Sequence, residues 1–261
     1  ATRLRDRLAQ RVGVATPGPL ARSVGSFAFQ IARAELTLRG EPAPELLTGA
    51  EQDRILSQVI EGDIDAPRIP WPEHLGETVR RSKDFRSELR AFLDAAIELD
   101  VSREELAALA GGAWAPIAAL TREYGAVLSR MSTNAMGAAE LASAARKALV
   151  RGGALPGIDR IRAVLVDDAQ ELTQGGVALV GALRARGVAV LAAGDPDIAS
   201  GAFRGIGPDV FAALVDALGD VHVLRGQHRS SEEIGWLVRR ATQAIGAGGR
   251  VEHRRAPGAE P

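Results

Sequence analysis

The stretch Ala163-Val164-Leu165-Val166-Asp167-Asp168-Ala169-Gln170-Glu171 decides how this chain reads. Its apolar start is short, as a buried strand would be, and it ends in two adjacent carboxylates followed by a glutamine and a glutamate. In a parallel α/β sheet, ligands bind in the crevice outside the carboxyl ends of the strands. Paired acids delivered there suggest a magnesium–nucleotide site. A helix cap accounts for the same pair, with Asp167 or Asp168 accepting from the first amides of a following helix. On this stretch alone the two readings stand level.

Downstream of Arg151-Gly152-Gly153-Ala154-Leu155-Pro156-Gly157, strand-like runs alternate with helical ones. Strands are expected over 161–166, 188–193 and 221–224, with helices over 175–186, 208–218 and 231–245. That order is the signature of βαβ units and a parallel sheet. Three successive strand ends carry polar groups: Asp167-Asp168 with Gln170-Glu171, then Gly194-Asp195-Pro196-Asp197, then Gln227-His228-Arg229-Ser230-Ser231. As parallel neighbours they would meet at one edge. Acids to hold magnesium, a carboxylate to orient water and an arginine to stabilise phosphoryl charge are the parts phosphoryl transfer requires.

Upstream the pattern differs. The chain opens in mid-helix with Leu4, Leu8 and Val12 among arginines, which reads as a truncated start. Arg22-Ser23-Val24-Gly25-Ser26 then reads as a strand and tight turn leading into a helix over 27–38. From Gly40 to Gly153 every run is helical, broken by the proline-rich connectors at 41–44 and 66–72. Trp114 and Trp236 fall on helical stripes and read as core, whereas Trp71, between Pro70 and Pro72, reads as an exposed contact.

Composition narrows the classes. The 261 residues are 46% hydrophobic and contain no cysteine, which excludes a disulfide scaffold, thiolate metal sites and cysteine nucleophiles. No apolar run approaches a membrane span and no signal-peptide core is present, so a cytoplasmic location and no membrane partner are expected. The net charge of −1 conceals an uneven distribution. Residues 1–39 hold seven arginines against Asp6 and Glu35, residues 40–70 hold seven acids against Arg54 and Arg68, and residues 221–261 again hold seven arginines. Basic ends around an acidic middle suit a split nucleic-acid-binding core; codon bias explains the arginines equally well.

On these motifs the chain resembles the UvrD/Rep-type superfamily 1 DNA helicases, and more narrowly the bacterial helicase–nucleases of the AddAB/AdnAB kind, over nearly its whole length. Val166-Asp167-Asp168-Ala169-Gln170-Glu171 is similar to the family's Walker B box. The resemblance implies that Asp167 holds Mg2+ through water, that Asp168 takes the place of the catalytic glutamate, and that Gln170 and Glu171 belong to the nucleotide site. Gly194-Asp195-Pro196-Asp197 with Phe203-Arg204-Gly205 resembles the motif linking nucleotide to bound single strand, placing Asp195 and Asp197 at the nucleotide and Phe203 and Arg204 at DNA. Leu224 to Ser231 resembles the next motif and makes Arg229 the arginine finger. Ser23, Ser26 and Phe27 stand where the family touches the DNA backbone, and Leu46 to Asp53 has the character of the helicase–nuclease branch.

The implied fold is a RecA-like P-loop NTPase sheet split by an all-helical 1B-like insert. Residues 1–39 would be the first part of motor domain 1A, 40–153 the insert, 154–246 the rest of 1A, and 247–261 a flexible tail. The implied function is part of an ATP-dependent DNA helicase of a DNA-repair helicase–nuclease, using ATP and Mg2+, with single-stranded or duplex DNA and a second helicase–nuclease subunit as partners. A Walker A loop needs a lysine after glycines, and neither Lys83 nor Lys147 has that setting. The Walker A βα unit is therefore expected to be missing. Asp168 is a methylene shorter than glutamate, Ile198 stands where the family has a γ-phosphate-sensing glutamine, Gly201 replaces a common tyrosine, and Gln227-His228 replaces Asn-Tyr. These departures imply the alternative of a degenerate motor acting as a DNA-binding or scaffolding subunit. A response-regulator-like or phosphatase-like domain could also use the two aspartates, but leaves Arg229 and Phe203-Arg204-Gly205 without a role.

Overall fold

The computed structural model describes residues 2–13, 19–109, 111–131, 134–198, 206–224 and 231–245. In chain order they form α1 (Thr2–Val12), α2 (Val24–Leu38), β1 (Pro44–Leu46), α3 (Gly49–Asp65), α4 (Glu77–Arg81), α5 (Lys83–Glu98), α6 (Arg103–Ala108), α7 (Ala115–Arg130), β2 (Asn134–Met136), α8 (Ala138–Arg151), β3 (Ala163–Val166), α9 (Gln174–Ala185), β4 (Ala189–Ala192), α10 (Pro208–Leu218) and α11 (Glu232–Ile245). The fold is a mostly helical α/β arrangement. It has two small parallel sheets, β1 with β2 and β3 with β4, and among the described residues neither sheet closes. Contacts divide the chain into a helical unit, residues 1–162 with 174–189, and a second unit, residues 163–173 with 190–261.

The helical unit follows from stripes and caps. Thr48 Oγ1 accepts from the Glu51 amide at 3.3 Å while Glu51 Oε2 accepts from the Thr48 amide at 2.7 Å. This reciprocal box satisfies two of the amides that a helix start leaves without partners, and it supplies a local role for the Leu46 to Asp53 segment. Ile55, Leu56, Val59 and Ile60 of α3 then face Leu89 and Leu93 of α5 and Leu120, Tyr124 and Leu128 of α7 in one buried cluster. A second layer packs α2 on α8 and α8 on α9. Alanines 28, 32, 145 and 148 are buried there, and their small side chains let the helix axes approach closely.

One buried charge organises the proline-rich connector. Asp63, at the end of α3, is 5% exposed. Its Oδ1 accepts from the amides of Arg68 and Ile69, both at 2.7 Å. Its Oδ2 accepts from Trp71 Nε1 at 2.9 Å and from Arg80 Nη1 at 3.1 Å. Four donors compensate the burial of the carboxylate and pin residues 66–72 against α3 and α4.

Several expectations need correction. No strand forms at residues 22–26: Ser23 caps α2, its Oγ accepting from the Ser26 amide at 3.2 Å, so the helix starts three residues earlier than its apolar stripe indicates. The stretch 40–153 is not all-helical, because β1 and β2 pair in parallel, with the Leu47 amide donating to Met136 O at 2.9 Å. Three-residue strands are too short to show a period of two. Residues 221–224 belong to no strand among the described residues. The strand ending at Val166 is not buried on both faces: Leu165 is 76% exposed and Leu191 of β4 is 65% exposed.

The tryptophans reverse their expected places. Trp71 is half-buried, bound to Asp63 and packed edge-on against Phe85 with ring centroids 5.6 Å apart. Trp114 and Trp236 are about half exposed. A helical stripe marks which face a side chain occupies, but only the neighbouring element decides whether that face is covered.

Candidate functional site at the carboxyl ends of two parallel strands

In the second unit, β3 and β4 end side by side. The Ala193 amide donates to Val166 O at 2.8 Å, and the Ala169 amide donates to Ala193 O at 2.9 Å. The chain leaving β3 therefore stays laced to the chain leaving β4 for several residues beyond the strands. Asp167 and Asp168 occupy this shared end, and both are exposed.

Asp168 has φ 50° and ψ 47°, the left-handed region. A non-glycine residue there is uncommon, and aspartate is among the few that tolerate it. Such strained positions gather at functional sites, where the surroundings hold them. The surroundings here are specific. Asp167 Oδ1 accepts from the Asp168 amide at 3.1 Å. Gln170, 3% exposed, donates Nε2 to Asp168 Oδ1 at 3.4 Å and accepts the Asp195 amide on Oε1 at 3.1 Å. The Asp168 side chain makes no capping bond to the short turn Ala169–Glu171 that follows. At this turn Asp168 therefore does not act as a side-chain cap.

Gly194 explains why the two strand ends approach so closely. A Cβ on it would lie 2.8 Å from Gln170 Oε1, 2.9 Å from Phe211 Cε2 and 3.1 Å from the Gln170 backbone nitrogen. α10 contributes Phe211 and packs on the turns at 169–171 and 196–198. Gly194→Ala is expected to lower stability by about 1–3 kcal/mol, because one obstructing atom is backbone. A denaturation midpoint for the full chain unchanged from wild type would show that the strand ends can part without loss.

Among the sequence-predicted residues, Asp167, Asp168, Gln170 and the Asp195 backbone meet in this one place. Glu171 closes the turn Ala169–Glu171, and Asp197 falls in the turn Pro196–Ile198. Ser23, Ser26 and Phe27 belong to the start of α2 in the helical unit. Phe203, Arg204, Gly201 and Arg229 lie outside the described residues, so the third strand-end cluster has no described counterpart.

No protein-family model matches this chain, and no curated protein does. What the site can do therefore rests on its own chemistry. Two carboxylates with open surroundings are hard oxygen ligands suited to Mg2+, which keeps several waters and takes one or two carboxylates together with substrate phosphates. No group of three or more histidine, cysteine or acidic side chains is placed to hold a metal among the described residues, so a dedicated all-protein cage is not what they form. Also among the described residues, no helix is long and apolar enough to cross a membrane.

Sequence reasoning placed Gly194 in the second strand-end cluster without its packing role, and passed over Phe211. The signal for the glycine was its place directly after an apolar strand run and before an acid, where close backbone approach is a recurrent need.

Proposed function

We propose that this chain carries the Walker B end of a superfamily 1 P-loop motor and forms part of an ATP-dependent DNA helicase of the helicase–nuclease kind. The observation that carries the reading is Gln170, which joins Asp168 at the end of β3 to the Asp195 amide at the end of β4, beside Asp167. In this reading Asp167 would hold Mg2+ through water, and the carboxylate of Asp168, to which Gln170 donates, would orient the attacking water. When bound, Mg2+ would supply positive charge to offset the negative charge that develops on the transferred phosphoryl group. Gln170 is a positioning residue, since its carboxamide is buried and both ends are committed to protein. Arg229 would supply the charge-stabilising guanidinium, and Phe203 with Arg204 would meet the DNA strand.

ATP hydrolysis by the full-length protein, with single-stranded DNA and Mg2+, tests the reading through the Asp167→Ala variant. Equal hydrolysis in both proteins sinks it. One observation favours a silent, scaffolding motor instead: Ile198 presents an exposed apolar side chain immediately after the Asp195 loop, where a hydrogen-bonding group would be needed to sense a γ-phosphate. In that case DNA binding survives while neither variant nor wild type turns over ATP at this site.

A further inference from the structure

Within the helical unit, five helices converge on a small polar cavity. Gln52 of α3, Asp94 of α5, Arg103 of α6, Tyr124 of α7 and Glu140 of α8 all line it. Its volume of about 20 Å³ accommodates one water molecule and no larger ligand. The cavity therefore suits proton exchange with solvent but no substrate.

The charges around it are unevenly satisfied. Glu140 is anchored twice: Arg103 Nε donates to Oε1 at 2.8 Å, and the Gly137 amide donates to Oε2 at 2.8 Å, which also caps α8. Arg90, one turn before Asp94, donates Nη1 to the Gly49 carbonyl at 2.9 Å. Both guanidiniums are directed at other acceptors. Asp94 meets the field of Glu140 from α8 and of Glu98 one turn further along α5, opposed by Arg90. Arg103 also acts here from α6, and Tyr124 faces the same space from α7 with its phenol pushed up to about 12, by burial first and Glu140 second.

We propose that the seam between α5 and α8 is a proton-operated joint, closed when Asp94 carries a proton opposite Glu140 and loosened when two carboxylates confront each other. Burial first, and Glu140 second, raise the Asp94 carboxyl from 3.8 to about 6. A carboxyl raised in the folded state holds its proton more tightly than the unfolded chain does. Its stabilising contribution is complete below the unfolded value near pH ~4 and is lost as pH climbs through about 6. Across the range from mildly acidic to neutral, the helical unit should therefore slacken along this one seam. The inference is independent of the strand-end site.

The test is thermal unfolding of the full chain from pH 4.5 to 7.5, comparing wild type with Asp94→Asn, whose amide keeps the shape and has no charge to gain. Subtracting the two curves removes other titrating groups. The variant's midpoint should rise relative to wild type by several degrees between the two ends of that range; a flat difference overturns the joint. Hydrogen exchange, corrected for its intrinsic pH dependence, should show α5 amides opening faster at pH 7.5 than at pH 5 in wild type only; the same ratio in both proteins also overturns it. If Asp94→Asn does not fold, carbon-13 titration of the wild-type aspartate carboxyls decides the matter. One midpoint near pH 6 supports the proposal, and all midpoints below pH 5 overturn it.

Discussion

Asp63→Ala is expected to lower the stability of the full chain by about 3–5 kcal/mol, the range found when one partner of a buried ion pair is removed. The variant would leave the Arg80 guanidinium inside without its anion, in a place where Arg80 Nε already has no hydrogen-bond partner. It would also orphan the amides of Arg68 and Ile69 and the indole of Trp71. For a chain of this size the melting temperature should fall on the order of 10 °C. Asp63→Asn should rescue little. All four contacts come from donors, so an amide can face only one pair of them with its oxygen and must turn N–H groups toward the other pair. A melting temperature for Asp63→Asn close to that of wild type would contradict this account of the connector.

Asp167→Ala is the second large effect expected. If the site hydrolyses ATP, loss of the carboxylate that holds the metal should lower DNA-stimulated turnover by about 10²–10³-fold, the scale for removing one preorganised charge-stabilising group. The defect should fall mainly on kcat, because the contribution is realised as charge develops. Binding of single-stranded DNA should stay within about twofold, since Asp167 is acidic and repels phosphate rather than attracting it. Turnover unchanged by Asp167→Ala, with DNA binding intact, would favour the scaffolding alternative.

Much of the second unit was legible because its signals are local. The apolar runs before Asp167 and Gly194 are strands, and the proline at 208 with its following stripe marks α10 from Pro208 to Leu218. The two strand-end acid groups could be recognised from the same runs. Their connection could not. Gln170 reaches a residue 25 positions away, and nothing near it in sequence announces that its carboxamide is buried.

The helical unit hides its polar interior for a similar reason. Asp63 and Asp94 sit among other charges on helices, where an acid ordinarily faces solvent. Only distant parts of the chain make them interior groups: Arg80 pairs with Asp63, and the helices packed around Asp94 bury it, with Glu140 adding a like charge. β1 and β2 escaped notice because each is three residues long and the two lie far apart in sequence.

The bare leucines of the small second sheet have a practical consequence for handling the protein. Among the described residues β3 and β4 pair only with each other, so each offers an outer row of peptide groups beside Leu165 or Leu191. An apolar, unprotected strand edge is a template for intermolecular pairing. Purified at high concentration, the chain is expected to self-associate, as light scattering would register. Leu165→Lys should suppress that growth by setting a charge on the sticky border, while equal scattering from both proteins would trace the association to another surface.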